Sequence, residues 1–312
     1  MIPRMHHKFI HRPIHRVLLA VDFTEEESSA EQMAIDVCRK EWATLTLVHV
    51  ISALDSLPNE VLNTGMHFMS RVVDDLNNQL IMKASYIRNQ YDLVVNHAVC
   101  IGSPVPELTK IASQRKMDLM ILCPDALPSG LTNRKLPASG YDVVQLVDHA
   151  PCPVFAVPSV FSLMDFREIW IPFTADTSAL EHVTYFLTTS RFLTKGTANL
   201  LVRLCAVLPD TDKDQESLYL KQVDLARSVV AKKGIYCSSN LYSERNLGNL
   251  LIDIERGERP ALIICISDKQ LPARLFANKG CAVLYITPQR MNEGTFNPDF
   301  RITKKPTITY TL

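Results

Sequence analysis

The side chains that could do chemistry in this sequence do not form a familiar catalytic motif. Among the 312 residues there is no G-x-S-x-G nucleophile elbow, H-E-x-x-H zinc motif, Walker A loop or G-x-G-x-x-G fingerprint. His7, His11 and His15 are four residues apart and could share one helix face as metal ligands, but Pro13 interrupts such a helix. We therefore expect no enzyme and no metal site, and a mobile tail at residues 1–15.

The cysteines also favour a structural interpretation. There are eight, and no two of them have C-x-x-C or zinc-finger spacing. Most lie inside apolar stretches, for example Cys123 after Leu122 and Cys265 between two isoleucines. This pattern is typical of buried, reduced thiols in a cytoplasmic protein.

Charge and hydropathy restrict the class of partner. Lys and Arg together number 33, and Asp and Glu also number 33, so the formal net charge is zero. A balanced chain does not favour broad capture of nucleic acid or of an anionic membrane. No apolar run reaches the roughly 18 residues of a membrane-spanning helix, and the first 16 residues lack the apolar core of a signal peptide. We expect a cytoplasmic protein that binds no nucleic acid and does not insert into a membrane.

Short apolar runs alternate with helical patterns along the first half. Strands are predicted at 17–21, 45–51, 93–101, 118–123 and 152–157, and helices at 24–40, 66–90, from 104, and at 142–149. Strands that alternate with helices predict a parallel, doubly wound sheet.

The pattern then restarts. The segments at 168–173, 199–204, 210–233, 247–254, 261–266 and 281–286 repeat the order of the first half, with a period of about 150 residues. The sequence therefore predicts two doubly wound α/β domains in tandem, each with a parallel five-stranded sheet. The predicted boundaries are a tail at 1–15, a first domain at 16–158, a linker at 159–167, a shortened second domain at 168–288 and a tail at 289–312.

Four segments of the first half resemble the universal stress protein family, in the same order. They are 17–24, 102–104, 117–121 and the H-A-P-C-P-V segment at 149–154. The resemblance covers 16–158, with a weaker second copy at 168–288. It implies the adenine-nucleotide alpha-hydrolase-like fold and a role in a stress response. Such domains commonly pair through their last strands, so 152–157 and 281–286 could pair inside one chain as a pseudo-dimer.

The ATP-binding branch of that family carries a glycine signature after strand four. Gly130 and Gly140, with nine residues between them, match its second and third glycines, and Asp22 matches the acidic position after strand one. Cys123 stands directly after strand four, and Tyr141 replaces the small hydroxyl residue that should meet phosphate. The resemblance thus implies ATP or AMP as a possible cofactor at a degenerate site.

The second half has lost most of this loop. Thr174 occupies the position of Asp22, and only 281 − 266 = 15 residues separate Ile266 from Cys281, against 152 − 123 = 29 between Cys123 and Cys152. We expect no ATP binding there.

Two functions remain open from the sequence. The first is a non-enzymatic tandem universal stress protein that acts as a stress-response regulatory or interaction module, through a protein partner or self-association by its last strands. The alternative is an ATP/AMP sensor that works through the first domain only. The Thr/Ile/Tyr alternation at 301–312 is strand-like and could pair with a sheet edge, or be a frayed terminus.

Overall fold

The structure is a computed structural model that describes most of the first half and the main elements of the second. The described residues are 14–23, 28–51, 65–124, 140–159, 161, 168–174, 190–194, 200–208, 213–232, 234–243, 247–256, 262–266 and 281–286. Gly130 and the C-terminal segment 301–312 lie outside them. No described helix is long and apolar enough to cross a membrane.

The first half alternates strands and helices, as its apolar pattern predicts. Its elements are β1 (Arg16–Ala20), α1 (Ser28–Glu41), β2 (Thr44–Ile51), α2 (Gly65–Tyr91), β3 (Val95–Ile101), α3 (Pro104–Gln114), β4 (Leu119–Leu122), α4 (Gly140–His149) and β5 (Val154–Ala156). The predicted strands lie at the right places because short apolar runs that are buried on both faces leave little choice of conformation.

The second half also alternates strands and helices. Its described elements are β6 (Glu168–Thr174), α5 (Arg191–Thr194), β7 (Leu201–Leu208), α6 (Lys213–Ala231), β8 (Tyr236–Ser243), α7 (Leu247–Arg256), β9 (Leu262–Ile266) and β10 (Ala282–Ile286). Strand β8 was not predicted, since its sequence Y-C-S-S-N-L-Y-S lacks an apolar run. It lies at an edge of the sheet, where a strand needs fewer apolar side chains.

All ten strands belong to one sheet, in which the segments 152–157 and 281–286 pair as the resemblance led us to expect, so the two predicted five-stranded sheets are joined into one. The order is β3-β2-β1-β4-β5-β10-β9-β6-β7-β8. Every described strand pair is parallel except β5 with β10, which pair antiparallel and align Phe155 with Leu284. The sheets join because each half would otherwise expose the unpaired backbone groups of an apolar edge strand.

Two apolar cores lie on the two faces of this sheet, and both continue across its centre. One core includes the buried sides of α1, α2 and α6, and the other those of α3, α4 and α7. At the centre, the rings of Phe155 and Phe192 lie 6.3 Å apart. The carboxylate of Glu41, which is 6% exposed, accepts the amide of Phe192 at 2.9 Å. Apolar packing and a buried hydrogen bond thus join the halves.

Several helices end on a residue with left-handed backbone before the next strand begins. Trp42, Asp92 and Lys116 have φ of 61°, 53° and 51° and follow α1, α2 and α3. Glycine is the usual residue at such a helix end, because a Cβ is disfavoured there. The chain has only ten glycines, and these turns place other residues under backbone strain.

Candidate functional site

The candidate site lies at the carboxyl ends of β1 and β4, which are neighbours in the sheet. The chain leaves β1 toward α1, which packs on one face, and leaves β4 toward α4, which packs on the other. In open α/β sheets such a switch point leaves a crevice in which ligands bind. Asp22 follows β1 and Cys123 follows β4, so two of the predicted site residues lie at this point.

The backbone on the amino side of Asp22 is held by strand β2. Val21 donates its amide to the carbonyl of Val48 at 2.8 Å, and its own carbonyl lies 2.6 Å from Nδ1 of His49, which donates when it carries the proton. His49 is buried. These two bonds fix the direction in which the chain leaves β1, and Asp22 is half-buried at its end.

An aromatic contact holds the other side of Asp22. Phe23 has a φ of 64°, a strained value for a bulky residue, and its ring centroid lies 5.0 Å from that of His49. The ammonium of Lys83 on α2 lies 6.0 Å from the centroid of the Phe23 ring and is 2.5 Å from the carboxylate of Glu31. Lys83 is thus already paired with an acidic side chain.

The sequence did not point to the contacts of Phe23 and Lys83. Phe23 follows the apolar run of β1 as an ordinary strand-end residue, and Lys83 is one of many cations on a long helix. One signal for the strained backbone of Phe23 was available in the sequence. No glycine follows Asp22, so a sharp turn after β1 must place another residue in the left-handed region.

Cys123 lies in the crevice region as a buried side chain. It is 3% exposed and belongs to the core on the α1 and α2 face. A buried thiol directly after β4 fills space with its side chain, whereas glycine would leave the backbone open to a ligand. The structure therefore places Cys123 where it was predicted and gives it a packing role.

Helix α4 begins at Gly140, and Tyr141 is its second residue. Because α4 connects the carboxyl end of β4 to the start of β5, its N-terminus lies at the same sheet edge as Asp22. The amide groups of a helix N-terminus can bind an anion. The structure brings Asp22, Cys123 and the start of α4 to one edge; the side chain of Tyr141 and all of Gly130 lie outside the described residues.

The turn from β3 into α3 explains why the G-S-P segment contains a glycine. Gly102 has a φ of 152° and donates its amide to Ile51 at 3.0 Å. A Cβ added at Gly102 would lie 2.9 Å from Cγ of Glu107. Helix α3 starts at Pro104 after this turn. The glycine is thus required by local sterics and needs no ligand to account for it.

Among the described residues of the second half, a polar cluster lies at the opposite, amino-terminal edge of the strands. The carboxylate of Glu168 accepts two hydrogen bonds from Arg203, at 2.9 and 3.1 Å, and one from the indole of Trp170 at 3.2 Å. The guanidinium also lies 5.2 Å from the centroid of the Trp170 ring. The hydrogen bonds to Glu168 raise the pKa of Arg203. This is a closed ion pair with a structural role.

At the carboxyl edge, Thr174 ends β6 in the position of Asp22, so no acidic residue follows that strand at once. Within the described part of the chain, no group of three His, Cys, Asp or Glu side chains could hold a metal ion.

Comparison with known proteins agrees with this geometry. Residues 13–158 match the model of the universal stress protein family. No curated protein matches the chain. A universal stress protein from Archaeoglobus fulgidus DSM 4304 has 14% identity and a TM-score of 0.59, covering 86% of this chain and 95% of its own. A functionally unknown protein from Pseudomonas aeruginosa PAO1 has 13% identity and a TM-score of 0.57, covering 89% and 94%.

A universal stress protein in complex with cAMP matches a smaller part. It has 16% identity and a TM-score of 0.31, and covers 47% of this chain and 98% of its own. Its ligand is a property of that protein. The longer matches show that the α/β fold of the universal stress protein type extends over most of the chain. The family match by itself assigns residues 13–158 to a domain of the universal stress protein family.

Proposed function

We propose that this chain is a tandem universal stress protein that acts as a non-enzymatic regulatory or interaction module. The observation that carries the proposal is the antiparallel pairing of β5 with β10 in the middle of the sheet. Read outward from this pair, the strand order β5-β4-β1-β2-β3 is repeated as β10-β9-β6-β7-β8. Two copies of one domain, joined through their last strands, would produce this order.

The geometry at the crevice supports an interaction role over a ligand-driven one. Cys123, directly after β4, is packed into the core, and Leu127 stands where the glycine signature of the nucleotide-binding branch would have its first glycine. Lys83, whose ammonium lies 6.0 Å from the centroid of the Phe23 ring, is paired with Glu31. The first half therefore retains the frame of a nucleotide site and departs from its details. Because the nucleotide site is degenerate in this proposal, the protein acts mainly through binding by the surfaces of the joined domains.

An ATP or AMP sensor is the second candidate. It is favoured by Asp22, which is half-buried at the switch point, and by α4, whose N-terminus at Gly140 lies at the same edge. A carboxylate at the end of β1 and free amides at a helix N-terminus are what a ribose and a phosphate would need. This site would lie in the first half only.

Isothermal titration of the full-length protein with ATP and with AMP, each with and without Mg²⁺, decides between the two. Gly140→Asp places a carboxylate at the start of α4, where aspartate is a favourable helix-capping residue, so the variant should fold. Gly248→Asp is the matched control, because Gly248 is exposed near the start of α7 with no atom within 4 Å of an added Cβ.

We expect no saturable heat from any of these proteins up to a nucleotide concentration of about 1 mM, which corresponds to a binding free energy of only about −4 kcal/mol. Binding of one nucleotide per chain, lost in Gly140→Asp and kept in Gly248→Asp, would instead establish the sensor.

A further inference from the structure

The amino-terminal edge of the first half is formed by the starts of β1, β2, β3 and β4. The amide of Thr44 in β2 donates to the carbonyl of His15 at 2.8 Å, and the amide of Leu45 donates to Val94 at 2.9 Å. These bonds place the starts of β1, β2 and β3 side by side. At the spacing of about 4.8 Å between strands, side chains from the four strands β3 to β4 lie within reach of a single short peptide.

Strand β4 is joined to the same edge through Asp118. Its Oδ2 accepts the amides of both His15 and Arg16 at 2.9 Å, and its own amide donates to the carbonyl of Arg16 at 2.9 Å. Nη1 of Arg16 donates to the carbonyl of Arg115, also at 2.9 Å. The guanidinium of Arg16 is therefore held next to the end of α3.

Positive charge predominates on the exposed part of this edge. The described segments 14–16, 39–45, 92–95 and 115–118 contain the cations Arg16, Arg39, Lys40, Arg115 and Lys116. Their three carboxylates are Glu41, Asp92 and Asp118. Two of these are engaged inside the fold: the buried Glu41 accepts the amide of Phe192, and Asp118 accepts the backbone of β1. Of these three carboxylates, only that of Asp92 is exposed.

Trp42 is the unusual residue of the edge. Its side chain is 83% exposed, and its backbone has the left-handed φ of 61°. The amide of Ala43 donates to the carbonyl of Cys38 at 2.9 Å, which is the Schellman pattern in which glycine is preferred at the left-handed position. The favourable interaction of cations with a helix C-terminus accounts for Arg39 and Lys40. It does not account for a strained and exposed tryptophan.

We propose that this basic aromatic surface, defined by the exposed residues Arg16, Arg39, Trp42, Val94 and Lys116, docks an acidic segment of a partner protein. The inference rests on the proposed role as an interaction module and names the chemistry of the partner. Carboxylates of the segment would pair with the cations, and an apolar side chain would cover Trp42 and Val94. Tryptophan and arginine are the residues that most often dominate the energy of protein–protein interfaces.

Charge and composition favour a protein segment over nucleic acid or lipid. A nucleic-acid-binding domain usually has a strongly basic balance, whereas this chain has a net charge of zero and a pI near 7.1. An interfacial membrane site buries a whole apolar helix face, and the exposed apolar side chains of this surface are those of Trp42 and Val94. The surface fits a short acidic peptide with an apolar anchor.

The test is selection of a random peptide library on the immobilised full-length protein, followed by fluorescence anisotropy of the recovered peptides. Trp42→Gly removes the indole and relieves the left-handed strain, so loss of binding would not reflect unfolding. Lys116→Glu reverses one charge of the surface. The matched controls are Leu225→Ala, an apolar side chain on α6 that is 67% exposed, and Lys221→Glu, an exposed lysine on the same helix.

We expect recovered peptides that are rich in Asp and Glu around an apolar residue. Their affinity should fall about tenfold or more in Trp42→Gly and in Lys116→Glu, which is the loss expected of an interface anchor, and should not change in the two controls. Recovery of no peptide, of peptides without acidic enrichment, or of peptides that bind Trp42→Gly equally well would overturn the assignment.

Three further outcomes distinguish failure of the proposed docking surface from failure of the proposed function. Peptides that bind regardless of the Trp42→Gly substitution would leave an interaction module with another docking surface. Preferential binding of a DNA oligonucleotide or an anionic phospholipid vesicle, lost in Lys116→Glu, would assign the surface to another class of macromolecule and overturn the proposal. Nucleotide binding in the titration described above would overturn the proposed function itself.

Discussion

Asp118 holds the start of β1 by its hydrogen-bonding capacity, and its negative charge works against the fold. Its Oδ2 accepts the amides of His15 and Arg16. Burial raises the pKa of Asp118, and this outweighs the hydrogen bonds and the nearby cations Arg16 and His15, which lower it. Desolvation therefore destabilises the charged form of Asp118 by more than its hydrogen bonds and neighbouring cations stabilise it. Asp118→Asn keeps an acceptor oxygen and removes the charge, so it separates the effect of the hydrogen bonds from the effect of the charge.

The sign of the pH dependence follows from the raised pKa. The native state binds the proton of Asp118 more tightly than the unfolded chain, in which the pKa of an aspartate side chain is about 3.9. The contribution of Asp118 to the free energy of unfolding therefore falls as the pH rises from about 4 through the higher native pKa. Asp118→Asn lacks this contribution, so it should gain stability relative to the wild type over that interval.

Magnitudes follow from the two hydrogen bonds. Asp118→Ala removes both, each worth about 0.5–1.5 kcal/mol net, and should lose about 1–3 kcal/mol of unfolding free energy near pH 4, with a smaller loss as the pH rises through the native pKa. Asp118→Asn should lie within about 1 kcal/mol of the wild type near pH 4. Urea denaturation at several pH values measures both, with Asp75→Asn, an exposed carboxylate on α2, as the control. If Asp118→Asn loses stability relative to the wild type as the pH rises, the charge itself holds β1 and the reasoning fails.

Three further predictions concern the fold and its thiols. Gly102→Ala should destabilise by about 1–3 kcal/mol in urea, since its backbone is disfavoured for alanine and the methyl group would clash with α3; an unchanged midpoint would contradict this. Glu41→Ala should lose about 1–3 kcal/mol because it leaves the buried amide of Phe192 without its acceptor, and Glu41→Gln should lose less, a ranking that thermal unfolding can test. Burial raises the pKa of Cys152 and Cys205 to about 12, so both should resist iodoacetamide at pH 8 until urea unfolds the chain, as mass spectrometry of the labelled protein would show.

The sequence was enough to predict the elements of the first half because the strands are short, continuous apolar runs. The predicted strand at 17–21 is observed as Arg16–Ala20, and the predicted helix at 66–90 as Gly65–Tyr91. Period-2 and period-3.6 patterns are local, so they can be read without knowledge of the partners of each element. The helix predicted from 104 begins at Pro104, because proline is tolerated in the first turn of a helix.

Features that depend on distant partners were not predictable from the local pattern. Strand β8 is half-polar and becomes a strand because β7 pairs with it from Leu201 to Leu208. The single sheet depends on β5 meeting β10; this pairing was expected from the resemblance to the family, because the apolar pattern of either strand alone does not encode its neighbour. At the candidate site, Asp22 was identified from the resemblance to the family, whereas the contact of Phe23 with Lys83 joins residues that are 60 positions apart.

The two proposed surfaces of the first half should act independently, because they lie far apart. The crevice at Asp22 and the basic aromatic surface at Arg16 lie at opposite ends of β1, and six residues of extended chain span about 20 Å. Charges in solvent are screened over about 8–10 Å at physiological ionic strength. Lys116→Glu should therefore leave any nucleotide titration unchanged, and Gly140→Asp should leave peptide binding unchanged. A variant that altered both would reveal coupling between the two surfaces through the strands of the first half.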